Sequence, residues 1–311
     1  MTTEVSLEEL NDALDEKVDT EMESNPEVID VGTDFEISEM PIEARRWLKV
    51  KDVVVVVADL RSSTLLAHGR QDGSVGAIFE AAIGGITQIF DAFDVDYFQS
   101  QGDGGVAIFW GQDRYERAIC AAITLKTFSA EILVPKLAGK FENIPETGYK
   151  IGVASGDVLV KNVGKPRDLE LQAPVWARNP VNYAAKCAQQ TDVHKMLVTA
   201  NVWAWIEDND YIAFSCDCKG PASNSIWATI EIKNLRPEDD DRFGRVLSAN
   251  WCAKCGESFC SAVLAGKSRR EDVTSARKAL VLDLSRDAYE KAARGRKKDE
   301  LNIRRGLRGI R

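Results

Sequence analysis

Five consecutive valines, Val53 to Val57, set between Asp52 and Ala58-Asp59-Leu60, narrow what this chain can fold into. β-Branched side chains crowd a helix and pack well on a pleated surface, so the run predicts a strand. With no polar alternate it needs cover on both faces, which places it centrally in a sheet. The chain has the material for that cover, with 311 residues of which 44% are hydrophobic, enough for one large domain or two small ones.

The segments that follow fit one plan. Ile78, Phe79, Ala82, Ile83, Ile86, Ile89 and Phe90 form a helical stripe within 75–93. Two short apolar stretches, 95–99 and 106–110, flank Ser100-Gln101-Gly102-Asp103-Gly104-Gly105, a composition suited to a tight hairpin. A helix over about 113–133 and strands near 149–155 and 158–163 come next. Strand, helix, hairpin, helix, strand is the ferredoxin-like order of an α+β fold, a mixed sheet flanked by helices. Asn179-Pro180 then opens a helix to about Gln190, with Asn as its cap and Pro at its first position. Residues 196–199, a short helix with Trp203 and Trp205, 211–215 and 225–232 complete a mixed α/β unit.

Charge divides the chain further. The formal charge is -9. Residues 1–45 hold fifteen acids and two bases, residues 266–311 fifteen bases and seven acids, and the middle is nearly balanced. The expected organisation is an acidic N-terminal segment, 1–45, partly mobile beyond a turn or two of helix near Leu7, Leu10 and Leu14. A main domain over 46–215 and a small C-terminal appendix over 216–311 follow, the appendix carrying a cysteine cluster and a basic helix near 270–293. An acidic total argues against a nucleic-acid partner. Apolar runs such as Val53 to Ala58 fall well short of the roughly 18 residues of a membrane helix, and the N-terminus lacks a leader pattern. A cytoplasmic protein with no membrane partner is expected.

Two carboxylates stand out. Asp59 ends the buried strand just before a polar loop, Arg61-Ser62-Ser63-Thr64, that enters a helix; Asp103 sits in the glycine turn. An acid at the end of a buried strand calls for a partner or a cation. In the ferredoxin-like plan the hairpin lies beside the first strand, so both carboxylates reach one sheet edge, where they can hold two divalent ions for phosphoryl transfer. Amides of residues 61–64 are then available to triphosphate oxygens. Taken singly, each aspartate also reads as an ordinary turn or cap residue.

The segments Val57-Ala58-Asp59-Leu60-Arg61-Ser62-Ser63-Thr64, Phe98-Gln99-Ser100-Gln101-Gly102-Asp103-Gly104 and Pro180-Val181-Asn182-Tyr183-Ala184-Ala185-Lys186 together resemble the catalytic domain of class III nucleotide cyclases over about residues 50–215. The resemblance implies attack of a ribose 3′ oxygen on the α-phosphorus of a nucleoside triphosphate, yielding a 3′,5′-cyclic monophosphate and pyrophosphate. It implies Asp59 and Asp103 as ligands of two Mg²⁺ or Mn²⁺ ions with the Leu60 carbonyl as a further ligand. It also implies Asn182 on the ribose, and Lys186 on the phosphates where the family usually has arginine. Asn182 and Lys186, four residues apart, share one helix face. Lysine keeps the charge but not the bidentate fork. In the family the aspartates and the Asn/Arg pair come from opposite subunits, so a homodimer with active sites at the subunit interface is implied.

The base positions depart from the purine cyclases. Gln99 stands where adenylate cyclases have lysine and guanylate cyclases glutamate. Val175, beside Trp176, stands near the second base-reading position, and a valine side chain makes no hydrogen bond. A smaller base enclosed by Trp176 and bonded by Gln99 or Tyr97 fits better, although Tyr97 also reads as a core aromatic. These features and the cysteine-bearing appendix resemble the pyrimidine cyclases of bacterial Pycsar antiphage defence, which implies UTP or CTP as substrate, UTP favoured. A cyclic UMP or cyclic CMP messenger acting on a separate effector is implied too. The alternatives are an adenylate or guanylate cyclase with an unusual pocket and a catalytically degenerate nucleotide-binding sensor.

Of seven cysteines, five lie late. Cys216-x-Cys218 and Cys252-x-x-Cys255 can supply four thiolates to one structural Zn²⁺ if the intervening segment folds back, leaving Cys260 spare; free buried cysteines are the competing reading. His68 and His194 lack partners at ligand spacing and read as surface or capping residues. The basic stretch Arg294 to Lys298 with Arg304, Arg305, Arg308 and Arg311 reads as a solvated tail or an attractor of acidic groups.

Overall fold

The computed structural model describes residues 6–42, 45–164, 169–249 and 251–281. These form two compact units, one from residues within 1–205 and 228–248, the other from residues within 206–227 and 249–311.

The first unit opens with α1 (Leu7–Glu23) and β1 (Glu27–Gly32). The valine run lies in β2 (Arg46–Arg61), followed by α2 (Ser63–Ala67) and α3 (Asp72–Ala92). Strands β3 (Tyr97–Gln101) and β4 (Gly104–Phe109) form the hairpin, and α4 (Arg114–Thr127) and α5 (Val134–Lys140) lead to β5 (Gly148–Gly164). After these come β6 (Gln172–Ala177), α6 (Asn179–Gln190), β7 (Lys195–Val198) and α7 (Ala200–Ile206), and later β8 (Trp227–Glu231) and β9 (Phe243–Leu247).

The sheet order is β3-β4-β2-β5-β7-β9-β8, with β1 and β6 pairing at the sides of β2 and β5. Its first four strands are antiparallel throughout and have the ferredoxin-like order. The valines alternate as a strand requires. Val53 and Val55 join a core with Ala184 of α6, while Val54 and Val56, equally buried, belong to the opposite face. Gly152 of β5 lets α6 lie close, because a Cβ there would strike the Ala184 carbonyl.

Several elements differ from the sequence reading. The two strands expected over 149–163 are one, because Gly156 (φ +146°) at a register shift against β2 absorbs the irregularity. The helix expected to stop near Leu133 passes through a π-helical turn, Phe128–Leu133, into α5, and the irregular turn lies directly before Pro135, whose missing N–H breaks the regular ladder. Helix α6 is capped by Arg178 rather than Asn179, which puts Pro180 one position further in. The acidic segment has more structure than expected. Helix α1 runs 17 residues with none buried. Strand β1 pairs in parallel with the start of β2, where Arg46 meets Glu27 at 2.7 Å and Lys51 meets Asp30 at 2.7 Å. Its acids are thus neutralised by a strand that composition alone does not connect to it.

Two helical stretches, Asp72–Ala92 and Arg114–Lys140, are long and apolar enough by composition to match a membrane helix, where the sequence reading found no such run. In the second, Ala118 to Ile123 are wholly buried, as suits the core helix of a sheet protein.

The second unit contains α8 (Asp210–Ala213), α9 (Ala253–Leu264) and helical residues 274–281. The 211–215 segment is therefore mostly a helical turn. Its core gathers Ile212, Phe214, Trp251, Phe259, Val263 and Val273. The buried Arg270 guanidinium stacks on Phe259 at 4.4 Å and donates to the Ser215 carbonyl at 3.0 Å. The basic helix expected to 293 is described only to 281; the rest of it and the basic tail lie outside the described residues.

Candidate active site

The aspartate corner is set by sheet register. Ala58 pairs with Gly105 across β2 and β4, so the next residues outward along the two strands, Asp59 and Gly104, meet at the sheet end. Gly104 is obligatory there, since a Cβ would collide with the Ala58 carbonyl and lie 3.4 Å from the Asp59 Cα. Asp103 is thereby held in the turn beside Asp59, with Gly102 supplying the left-handed φ of +60°. On the other side of β2, Asp59 pairs with Lys150, whose ammonium is 3.7 Å from the carboxylate and donates to the Gln189 carbonyl of α6 at 2.7 Å. The Lys150 ammonium thus stands as a cation beside Asp59. No sequence signal identified Lys150, because the β2–β5 register that brings it there is not written locally.

Leu60 pairs with Tyr149, whose N–H is spent on Ser129 Oγ at 2.7 Å. The Tyr149 side chain is fully buried, and its hydroxyl has no hydrogen-bond partner among the described residues. Burial, and secondarily the Asp103 carboxylate, push its ionisation well above the ordinary tyrosine range. Arg61 pairs with Glu146 at 3.1 Å, and its carbonyl accepts from Thr147 Oγ1 at 2.7 Å. Ser62 takes the left-handed conformation (φ +61°) that turns the chain into Ser63 and Thr64 at the start of α2.

Helix α6 carries Asn182 and Lys186. Both line a cleft of about 530 Å³ with Tyr183, Gln189, Asn234 and Arg236, and neither aspartate lines it. Lys186 Nζ donates to the Asn234 carbonyl at 2.9 Å and lies 5.5 Å from the Tyr183 ring. The acidic run Glu238 to Asp241, which reads as a boundary, instead helps to wall an adjoining cavity of about 510 Å³. Tyr183 donates to Asp239 there, and burial with that contact pushes its hydroxyl up to about 12. Asp241 is buried and accepts from the Asn201 N–H and side-chain amide at 2.8 and 2.9 Å.

Of the residues expected to read the base, Tyr97, Gln99 and Trp176 come together. Tyr97 donates to Gln99 Oε1 at 3.0 Å, and its ring centre is 5.1 Å from that of Trp176, which in turn stacks on Trp110 at 5.6 Å. Val175, next on β6, is exposed. Tyr97 is therefore at once part of the aromatic cluster and polar toward Gln99.

In the second unit, Cys216, Cys218, Cys252 and Cys255 place their sulfurs within 4.8 Å of one another; Cys260 is not among them. His194, read from the sequence as a surface or capping residue, is partly buried and bonds Ser129 Oγ through Nδ1 at 3.0 Å.

A uridylate cyclase of Micromonospora echinofusca is 49% identical to this chain over 296 residues, covering 95% of this chain and 96% of the relative. The chain belongs to the uridylate cyclase family. A uridylate cyclase of Propioniciclava tarda is 39% identical over 309 residues, 98% of each chain. No family model matches. Among solved structures, the adenylyl cyclase CyaB from P. aeruginosa aligns with 65% of this cyclase and 96% of its own chain at a TM-score of 0.51 and 15% identity. A class III adenylyl cyclase-like ATP-binding protein from Pseudomonas aeruginosa aligns with 90% of this cyclase and 53% of its own chain at a TM-score of 0.51 and 15% identity. Those two likenesses carry the fold. This cyclase is an enzyme, a nucleotide cyclase on a class III scaffold.

Proposed function

We propose that this cyclase converts a pyrimidine nucleoside triphosphate, UTP in preference to CTP, to its 3′,5′-cyclic monophosphate and pyrophosphate. The observation that carries the preference is the Tyr97–Gln99 bond. With Oε1 engaged by the tyrosine hydroxyl, Gln99 offers its amide N–H groups to the base. These suit the O4 acceptor of uracil and face the amino group of cytosine donor to donor, which leaves a polar edge unpaired. The two uridylate cyclase relatives support the same base.

Asp59 and Asp103 offer hard carboxylate oxygens, and Leu60 a carbonyl, a donor set suited to Mg²⁺ or Mn²⁺. The approach of the Lys150 ammonium to Asp59 supports the corner's fitness for a cation. Divalent ions bound there would neutralise triphosphate charge and favour the alkoxide form of the attacking ribose hydroxyl. The remaining work falls to the chain. The 61–64 turn offers N–H groups to phosphate oxygens, Asn182 orients the ribose so that its 3′ oxygen lies in line with the α-phosphorus, and Lys186 exchanges the Asn234 carbonyl for the departing pyrophosphate.

The two half-sites are read as meeting between copies in a homodimer, a reading supported by the cleft of Asn182 and Lys186, which neither aspartate lines. On the resemblance to the antiphage pyrimidine cyclases, the product is a cytoplasmic second messenger for a separate effector. Incubation with UTP, CTP, ATP and GTP and Mn²⁺, with products identified by mass, tests the chemistry. Cyclic UMP is expected to dominate, and Gln99→Glu to shift turnover toward CTP. A cyclic purine as sole product would refute the base assignment, and no product from any triphosphate would leave only a nucleotide-binding module.

A further inference from the structure

The second unit is built from two stretches of chain, within 206–227 and 249–311, separated in sequence by residues 228–248, which belong to the other unit. Its described apolar core is small, and small cores commonly depend on a covalent or metal staple. Each stretch brings two cysteines to one point. Cys216 and Cys218 flank a single residue at a 3₁₀ turn, Asp217–Lys219. Cys252 caps α9, and the Cys255 N–H returns to the Cys252 carbonyl at 3.0 Å, so the second pair forms one tight turn.

The geometry points to a four-thiolate zinc site, formed by Cys216, Cys218, Cys252 and Cys255, that staples the two stretches of the second unit together. Sulfurs at the roughly 2.3 Å bond length of a tetrahedral zinc thiolate centre lie nearly 4 Å apart. Here Cys218 and Cys255 are 3.4 Å apart, Cys252 and Cys218 3.5 Å, and all four lie within 4.8 Å. Disulfides need sulfurs about 2.05 Å apart, so these are not bonded pairs. Thiols are weak hydrogen-bonding groups that gain little from clustering. One divalent ion shared by four thiolates accounts for the convergence of all four, and sulfur donors select zinc over the magnesium or manganese suited to carboxylates. Bridging Cys218 to Cys252 closes a loop of 34 residues, which restricts the unfolded chain as a cross-link does.

The site does not depend on the cyclase reading, and its test reads metal rather than activity. Full-length protein purified without chelator is expected to contain one zinc per chain, released when a mercurial reagent titrates its thiols. Replacement by Co²⁺ should give sulfur-to-metal charge-transfer absorption and the intense visible bands of a tetrahedral ion. Cys218→Ser and Cys255→Ser should each lose the zinc, while Cys260→Ser and Asp59→Asn retain it; circular dichroism reports whether each variant is folded. Should a cysteine variant fail to fold, the cobalt spectrum of the unmutated chain decides. Protein without zinc that gives no tetrahedral cobalt spectrum after reduction would overturn the site, as would loss of zinc in folded Cys260→Ser or Asp59→Asn.

Discussion

The aspartate corner and the α6 face are positioned by different physics. Asp59 and Asp103 are fixed by backbone: one by its register in a three-way strand pairing, the other by a turn whose next residue, Gly104, admits no side chain. Asn182 and Lys186 stand on a helix, Asn182 exposed and Lys186 tethered by a single bond to a loop carbonyl. The corner is rigid because moving it would disturb the sheet. On the helix face the long Lys186 side chain is free to change partners, as the role proposed for it on the phosphates requires.

The sharpest way to break this contrast is to disable each half separately. Asp59→Asn and Asn182→Ala are each expected to lower cyclase turnover by more than about 10³-fold and about 10²-fold respectively, with circular dichroism unchanged. If the halves meet between copies, mixing the two inactive proteins should restore about a quarter of wild-type activity, because half the dimers are mixed and each holds one intact site. Mixtures as inactive as their components would place both halves in one chain.

A smaller effect is expected at Lys186. Lys186→Ala should slow turnover by about 10–10²-fold, whereas Lys186→Arg should keep most of it, since a guanidinium retains the charge and adds the fork. Steady-state kinetics with UTP separates a loss in kcat from one in KM. Equal rates for Ala and wild type would leave Lys186 as a structural tether to Asn234.

The smallest effect sharpens the account of the corner's support. Ser129 Oγ accepts from the Tyr149 N–H, opposite Leu60, and its own proton is free for His194 Nδ1. Burial, reinforced by Lys126, holds the His194 pKa below its ordinary value. The unfolded chain therefore binds the proton more readily, so this contribution is present above about pH 6.5 and is lost as pH falls through the lowered folded value. His194→Asn, which tolerates the left-handed φ of +57°, should cost about 0.5–1.5 kcal/mol at pH 7.5 and less at pH 5. Denaturant titrations at the two pH values measure the difference, and an equal cost at both would remove His194 from the acid sensitivity.

How far the sequence reached differs between elements for physical reasons. The valine run, the glycine turn around Asp103 and the apolar stripes of α3 and α6 declare themselves through composition and period, since their cause is local. So the ferredoxin-like order, the two aspartates and the spacing of Asn182 and Lys186 were legible from the chain alone. Strand β1 was not, because an acidic segment becomes a strand here only where Arg46 and Lys51 of β2 meet its charges. The single strand β5, the helix running on to Lys140 and the structured run Glu238 to Asp241 likewise depend on neighbours.

The same division holds at the site. Sequence by itself determined which groups are available: two carboxylates at a strand end and a turn, an amide and an ammonium one helical turn apart, and four cysteines in two pairs. Tertiary structure alone decided that Lys150 faces Asp59, that Trp176 packs against Tyr97, and that all four sulfurs converge. Spacing along a chain fixes only what lies within a helical turn or a hairpin. Contacts between residues separated by 34 to 91 positions depend on register and packing, which no local pattern encodes.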